Sequence, residues 1–143
     1  MKKELVIFVD GASRGNPGHS GYGVLIEDAG GALVLEAYDY IGETTNSVAE
    51  YRALLRGLEE AKKLGGETLT IYTDSQLVAR QFEGTYRVKN EGLLPLFTRV
   101  RELERGFKSV QVKHILRSSM PGNKRADQLA NIAINRVGPV SSK

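Results

Sequence analysis

The sequence contains no cysteine and no tryptophan, and only two of its 143 residues are histidine. Without cysteine the chain can form no disulfide bond, no thiolate metal site and no cysteine nucleophile. Any metal would therefore be bound by carboxylates, histidine or water, which favours a hard cation. The chain also lacks an apolar run of 18 residues, so a membrane-spanning helix is not expected.

The length and composition predict one domain over residues 1–143, because 41% hydrophobic residues are enough to bury a core. Residues 1–13 hold two lysines and a short apolar run, but Asp10 interrupts the run before it reaches the length of a signal peptide. We therefore expect a mature cytoplasmic protein that does not associate with membranes. No feature indicates an obligatory protein partner, which favours a monomer.

The net charge of +3 is unevenly distributed along the chain. Residues 1–77 hold 7 Lys/Arg against 12 Asp/Glu, whereas residues 78–108 hold 7 against 4 and residues 109–143 hold 6 against 1. An acidic centre beside a basic surface suits an enzyme that uses a metal on a polyanionic substrate. Uneven but solvated surface charge is the alternative interpretation.

Hydrophobic periodicity predicts an α/β fold with the element order βββαβααβα. Strands are predicted at residues 4–9, 21–28, 32–41, 68–73 and 110–116, and helices at 47–64, 75–82, 91–105 and 123–137. A glycine-rich turn at residues 11–21 is expected between the first two strands. A hairpin-built edge followed by a crossover strand implies a mixed five-stranded sheet flanked by helices.

Two carboxylates lie at predicted strand ends. Asp10 closes the first strand, where it could also be a turn residue before Gly11, and Asp74 closes the fourth, where it could also be the N-cap of the next helix. In open α/β sheets the carboxyl ends of neighbouring strands border one ligand-binding crevice. The two acids could therefore converge.

Two further carboxylates lie on the rims of predicted helices. Glu50 falls at the margin of the apolar face of the first helix, although residues 47–50 also read as a capping box with Glu50 at N3. Asp127 falls at the margin of the apolar face of the last helix, where the helix dipole also favours an acid. If all four acids share a crevice, their mutual repulsion requires a cation, and a pair of Mg²⁺ ions would relieve it.

Four ordered segments carry a resemblance to a known family. They are Val9-Asp10-Gly11-Ala12-Ser13 with Gly15-Asn16-Pro17-Gly18, Thr44-Thr45-Asn46-Ser47 with Ala49-Glu50, Tyr72-Thr73-Asp74-Ser75-Gln76, and Asn123 with Ala126-Asp127-Gln128-Leu129-Ala130. They resemble the four successive motifs of type 1 ribonuclease H. The resemblance covers essentially the whole chain and implies the ribonuclease H-like fold.

The resemblance also implies an activity: endonucleolytic hydrolysis of the RNA strand of RNA/DNA hybrids, leaving 5′-phosphate and 3′-hydroxyl ends. Asp10, Glu50, Asp74 and Asp127 would be the catalytic acids that hold two Mg²⁺ ions, with Mn²⁺ as an alternative. The other implied residues would bind the hybrid, at its minor groove or, for Thr45, at a phosphate of the DNA strand: Gly11, Ala12, Ser13, Arg14, Asn16, Thr45, Asn46 and Gln76.

Two features depart from many bacterial members of that family. Residues 84–95 are too short for the basic helix and tryptophan-bearing loop that those members insert. The loop before Asp127 has no histidine, and we expect Arg117 to replace it, as a catalytic group that binds the scissile phosphate or helps to expel product. His114 is expected to be a packed strand residue and not a catalyst.

Two alternatives stay open. One is a catalytically silent module that binds hybrids on the same fold, because a fold alone does not establish activity. Such a module would be expected to lose at least one of the four acids, and this chain has all of them. The other is a different nuclease of the wider ribonuclease H-like superfamily, such as a Holliday-junction resolvase or an integrase core. Residues 44–46 and 74–76 favour the hybrid-cutting branch.

Overall fold

The computed structural model describes residues 3–137, which form five strands and four helices. The elements are β1 (Glu4–Gly15), β2 (Gly18–Asp28), β3 (Leu33–Thr44), α1 (Asn46–Lys63), β4 (Thr68–Thr73), α2 (Gln76–Glu83), α3 (Leu94–Glu104), β5 (Ser109–His114) and α4 (Pro121–Val137). This order confirms the predicted succession βββαβααβα. No helix among these residues is long and apolar enough to cross a membrane.

The strands form one mixed sheet in the order β3-β2-β1-β4-β5. The first three strands are antiparallel neighbours, and β1, β4 and β5 run parallel to one another. The mixed five-stranded sheet is therefore as predicted. β1 lies at the centre of the sheet, and helices cover both of its faces, with α1 packed on one side and α4 on the other.

The two faces of the sheet carry separate apolar clusters. Leu5, Ile7 and Val9 alternate along β1 and pack into a large core with residues of α1, α2 and α3. Phe8 faces the opposite side, where it packs with Leu25 and with residue Ala126 of α4. Side chains alternate along a strand, so Asp10 lies on the same face as Phe8, the face that α4 covers.

The predicted glycine-rich turn is wrong in its extent. Residues 11–15 continue β1 and pair with residues 18–22, so the reversal is confined to Asn16 and Pro17. Asp10 therefore lies inside a strand and does not close it. The glycine at position 11 is needed for packing, because a Cβ there would lie 2.4 Å from the backbone of Ala49 and Glu50.

Several predicted element boundaries also differ from the structure. The helix predicted to start at residue 91 starts at Leu94, with Pro95 in its first turn, where a missing N–H costs no helical bond. β5 ends at His114 and not at residue 116, and α4 starts at Pro121 and not at residue 123. His114 is exposed at the end of β5, so its predicted packed position is wrong.

Candidate active site

Four elements each contribute one acid to a single crevice. Asp10 lies in β1, Glu50 in α1, Asp74 directly after β4, and Asp127 in α4. Carboxylate oxygens of Asp10, Glu50 and Asp74 lie within 4.8 Å of one another. The first two acids are buried and the third is half-buried. Asp127 is half-buried and approaches Asp10 closely enough to raise its pKa.

Glu50 reaches the sheet because α1 lies directly against β1. The backbone amide of Gly11 donates a 2.9 Å hydrogen bond to Oε1 of Glu50. The capping-box interpretation of Glu50 is wrong, since the N-cap of α1 is Thr45, whose hydroxyl accepts from the amide of Val48 at 3.2 Å. The glutamate side chain is therefore directed across the helix–sheet interface.

Asp127 reaches the same place because α4 also lies close to the sheet. Gly23 is the partner of Asp10 in the β1–β2 register, and a Cβ on it would lie 2.2 Å from the carbonyl oxygen of Ala126. A larger residue at position 23 would therefore push α4 away. The residue after Ala126 is Asp127, so this close approach brings its carboxylate towards Asp10.

Asp74 lies just beyond the point where the pairing of the parallel strands β1 and β4 ends. β1 pairs with β4 only as far as Phe8 and Tyr72, so Asp10 and Asp74 both follow the paired segment. Asp74 is not the N-cap of α2: Ser75 is, and its hydroxyl accepts from the amide of Val78 at 3.2 Å. The carboxylate of Asp74 is thus not needed to cap the helix.

The electrostatics of this cluster favour a bound cation. Burial, followed by the charges of Glu50, Asp74 and Asp127, raises the pKa of Asp10 to about 10. Burial and the charge of Asp74 raise the pKa of Glu50 to about 8, although the hydrogen bond from Gly11 opposes this shift. Crowded carboxylate oxygens are suitable ligands for Mg²⁺, whose positive charge would keep the acids ionised. The residues present therefore fit such an ion.

A cavity of about 420 Å³ opens over the acids. Its lining contains most of the residues implied by the motifs, namely Asp10, Gly11, Ala12, Ser13, Arg14, Asn46, Glu50, Asp74, Arg117 and Asp127. Ser75 and Asn131 also line it and were not among the predicted site residues. Asn131 could have been found from its spacing, because it lies four residues after Asp127 and so on the same face of α4.

Three of the predicted substrate-binding residues do not line the cavity: Asn16, Thr45 and Gln76. The side chain of Asn16 accepts a 2.9 Å hydrogen bond from the amide of Asn46, which joins the β1–β2 hairpin to the start of α1. Thr45 is the exposed N-cap of that helix, and Gln76 is exposed in the first turn of α2. All three lie beside lining residues, on the rim.

Arg117 lines the cavity beside Asp127. Its Nη2 is 3.5 Å from Oδ1 of Asp127, and the Arg117 side chain is 74% exposed. The loop that carries it is tied to α4 by Asn123, whose Oδ1 accepts a 2.5 Å hydrogen bond from the amide of Ser118. Asn123 is buried, and among residues 3–137 its Nδ2 has no hydrogen-bond partner.

Comparisons with known proteins agree on one family. Residues 8–133 match the family described as Reverse transcriptase-like. The chain is 41% identical over 133 residues to the Bifunctional protein Rv2228c of Mycobacterium tuberculosis, covering 92% of this chain and 36% of that protein. It is 40% identical over 128 residues to Ribonuclease HI of Halobacterium salinarum, covering 90% and 63% respectively. The chain thus spans about a third of the length of the Mycobacterium tuberculosis protein and somewhat under two thirds of the length of the Halobacterium salinarum protein.

Solved structures give the same result. The N-terminal RNase H domain of the Mycobacterium tuberculosis protein superposes with a TM-score of 0.90 at 38% identity, over 94% of this chain and 96% of that one. The LC11-RNase H1 from compost, solved in complex with an RNA/DNA hybrid, superposes with a TM-score of 0.86 at 39% identity, over 92% and 97%. These similarities confirm the ribonuclease H-like fold implied by the motifs.

Proposed function

The chain belongs to the Reverse transcriptase-like family and, within it, to the type 1 ribonucleases H, and we propose that it cleaves the RNA strand of RNA/DNA hybrids. The cleavage is endonucleolytic and leaves 5′-phosphate and 3′-hydroxyl ends. The observation that carries this proposal is the convergence of four carboxylates in one cavity, on the fold that LC11-RNase H1 uses to bind a hybrid.

The four acids, Asp10, Glu50, Asp74 and Asp127, are proposed as the ligands of two divalent cations, Mg²⁺ or Mn²⁺. When bound, such ions lower the pKa of an attacking water and stabilise the oxygen that leaves the phosphate. The protein fixes the ligand geometry in advance, since Glu50 is held by the amide of Gly11 and Asp127 by the close packing of α4. The crowding of buried carboxylates supports this assignment, because it is unfavourable without a cation.

Part of the cavity lining, together with the rim beside it, is proposed as the hybrid-binding surface. Its residues come from the β1–β2 hairpin, from the start of α1 and from the start of α2: Gly11, Ala12, Ser13, Arg14, Asn16, Thr45, Asn46 and Gln76. Backbone and side-chain donors there suit the 2′-hydroxyls of an RNA strand, which distinguish RNA from DNA. The exposed N-terminus of α1 at Thr45 suits a phosphate of the DNA strand. The hydrogen bond from the amide of Asn46 to the side chain of Asn16 holds these two residues together, which supports a rim that is ordered before the substrate binds.

Arg117 is proposed to bind the scissile phosphate or to assist product release. Its exposed side chain lies beside Asp127. The guanidinium can therefore leave the carboxylate of Asp127 and pair with a substrate phosphate while it remains in the cavity. Arginine stays protonated at any working pH, so it supplies charge and hydrogen bonds and does not shuttle a proton.

The alternatives are a silent hybrid-binding module and another nuclease of the superfamily. The presence of all four acids argues against the silent module, and residues 44–46 and 74–76 favour the hybrid-cutting branch over another nuclease of the superfamily. A single domain over residues 1–143, a monomeric state and a cytoplasmic location stay predictions from the sequence.

The decisive experiment is cleavage of end-labelled RNA presented as single-stranded RNA, as RNA/RNA and as RNA/DNA, with labelled DNA/DNA as a fourth substrate. Each substrate is incubated with Mg²⁺ and with EDTA. We expect cleavage of the RNA/DNA form alone, and only with Mg²⁺. Binding without cleavage would support the silent module, and cutting of DNA/DNA would support another nuclease. In the same assay, Asp39→Asn, which removes an exposed acid outside the cavity, is the matched control for Asp10→Asn.

A further inference from the structure

Two arginines line the acid cavity, and they are held in different ways. Arg117 lies 3.5 Å from the carboxylate of Asp127. Within residues 3–137, Arg14 forms no ion pair; instead its Nη2 donates a 3.2 Å hydrogen bond to Oδ1 of Asn131. A neutral amide holds the guanidinium without cancelling its positive charge, which a carboxylate would do.

The amide of Asn131 is itself fixed. Its Nδ2 donates a 3.0 Å hydrogen bond to the backbone carbonyl of Asp127, one turn earlier in α4. With its nitrogen held by the helix, its oxygen is the atom that remains for Arg14. A two-step chain of hydrogen bonds therefore connects the backbone of a proposed metal ligand to a cation on the β1–β2 hairpin.

We propose that Asn131 positions Arg14 to bind a backbone phosphate of the RNA strand next to the one that is cut. This inference rests on the proposed function and extends it, since Asn131 had no assigned role and Arg14 was implied only to meet the minor groove. Arg14 contacts the substrate in this account, whereas Asn131 acts through Arg14.

The charge of the cavity explains why such a residue is needed. The four carboxylates repel a polyanion that approaches them, and cations held by these acids would offset that repulsion mainly within the cavity. A permanent positive charge on the rim attracts the neighbouring phosphate, and a guanidinium can meet it with two parallel hydrogen bonds. Arg14 is exposed and uses one terminal nitrogen for Asn131, and its other N–H groups bind nothing within the described residues, so they are available to a phosphate.

The experiment is a double-mutant cycle on hybrid binding, with Arg14→Ala and Asn131→Ala made singly and together. All variants carry Asp10→Asn, which removes a proposed metal ligand so that the hybrid is bound and not cut. The dissociation constants of a fluorescent RNA/DNA hybrid and of a DNA/DNA duplex are measured in Mg²⁺ between 50 mM and 200 mM salt. Arg136→Ala is the matched control, because it removes one positive charge from α4 at a position outside the cavity.

We expect Arg14→Ala to weaken hybrid binding about 5-fold or more and to reduce the slope of log Kd against log salt by about 0.9, as for one lost phosphate contact. Asn131→Ala should weaken binding less than Arg14→Ala does, and should have no further effect when Arg14 is already alanine. Arg136→Ala should change the dissociation constant less than 2-fold.

Independent effects of the two substitutions, which multiply in the double variant, would overturn the positioning role of Asn131. An unchanged salt slope in Arg14→Ala, with weaker binding of the hybrid but not of DNA/DNA, would show that Arg14 reads a 2′-hydroxyl and would overturn the phosphate assignment. Because binding is measured without cleavage, either result leaves the proposed activity unaffected. That activity is judged separately, from cleavage by the chain without substitutions.

Discussion

Oε1 of Glu50 accepts a hydrogen bond from the backbone amide of Gly11 across 2.9 Å, joining the first helix to the central strand one residue after Asp10. This bond satisfies one oxygen of a buried carboxylate and sets its place beside the other acids. Gly11 makes the contact possible, since any side chain there would collide with the backbone of Ala49. The glycine and the two acids therefore form one structural unit.

We expect Glu50→Gln to lower kcat by at least about 100-fold, because a charged ligand of the cation is lost. Folding should be little affected, since glutamine can still accept the bond from Gly11. Circular dichroism melts and cleavage of a labelled hybrid measure the two effects. Glu59→Gln, at an exposed position of the same helix, is the control and should behave like the unsubstituted chain. If Glu50→Gln retains full activity, Glu50 has only a structural role.

Without metal, stability should fall as the pH rises. The pKa of Asp10 is raised from 3.8 to about 10 and that of Glu50 from 4.5 to about 8, so the folded chain retains protons that the unfolded chain releases. A group with a raised pKa stabilises the folded state fully below its unfolded pKa and loses that contribution as the pH rises through its folded pKa. In EDTA, Tm should therefore decrease between about pH 5 and pH 9.

Asp10→Asn should remove much of this decrease, and Mg²⁺ should restore Tm at pH 8 to 9 in the unsubstituted chain, because a ligand of the folded state stabilises it. Thermal melts at five pH values, with EDTA and with Mg²⁺, provide the measurement. Asp39→Asn should retain the pH dependence of the unsubstituted chain. A Tm that is independent of pH in EDTA would contradict the crowding of the acids.

Arg117→Ala should reduce kcat about 10-fold or more while KM changes little, because the lost contact is to the phosphate that reacts. Arg99→Ala removes an exposed arginine from outside the cavity and should change neither constant appreciably. Steady-state kinetics on a hybrid separate the two parameters. A rise in KM at constant kcat would reduce Arg117 to a nonspecific phosphate contact. If a folded double variant with His19→Gln and His114→Gln lost cleavage activity, a histidine and not Arg117 would carry this role.

Asn123→Ala should destabilise the fold by about 1 to 2 kcal/mol, since the amide of Ser118 loses its acceptor in a part-buried place. Ser118 has a φ of 59°, a left-handed backbone that this bond helps to hold. We expect kcat to fall as well, because the loop also carries Arg117. Asn135→Ala, at an exposed position of the same helix, is the control for melts and kinetics. Equal kcat in Asn123→Ala and the unsubstituted chain would show that the loop does not need this bond.

The sequence predicted the element order and the strand and helix types because apolar periodicity reflects burial on a face. It did not predict the length of β1. Glycines at positions 11 and 15 suggested a turn, whereas Gly11 is present because a helix lies against it. Close approach of a helix is a tertiary contact, and no local pattern distinguishes it from a turn.

The residues of the site were also predicted only in part. The four acids were identified from predicted strand ends and helix rims, although Asp10 in fact lies inside β1. The helix-capping alternatives for Glu50 and Asp74 were wrong, because Thr45 and Ser75 hold those positions. The role of Asn131 depends on a bond to Arg14, which is 117 residues away in the chain. Such a contact exists only after α4 is placed on the sheet.

The metal-binding role of the acids is tested by measuring hybrid cleavage and hybrid binding by Asp10→Asn, compared with the unsubstituted chain in Mg²⁺. Asparagine has nearly the size of aspartate but lacks its charge, so the cavity is retained while its buried ligand is lost. We predict that cleavage falls at least about 100-fold, while the dissociation constant for the hybrid changes only a few-fold. Undiminished cleavage by Asp10→Asn would contradict this metal-binding role.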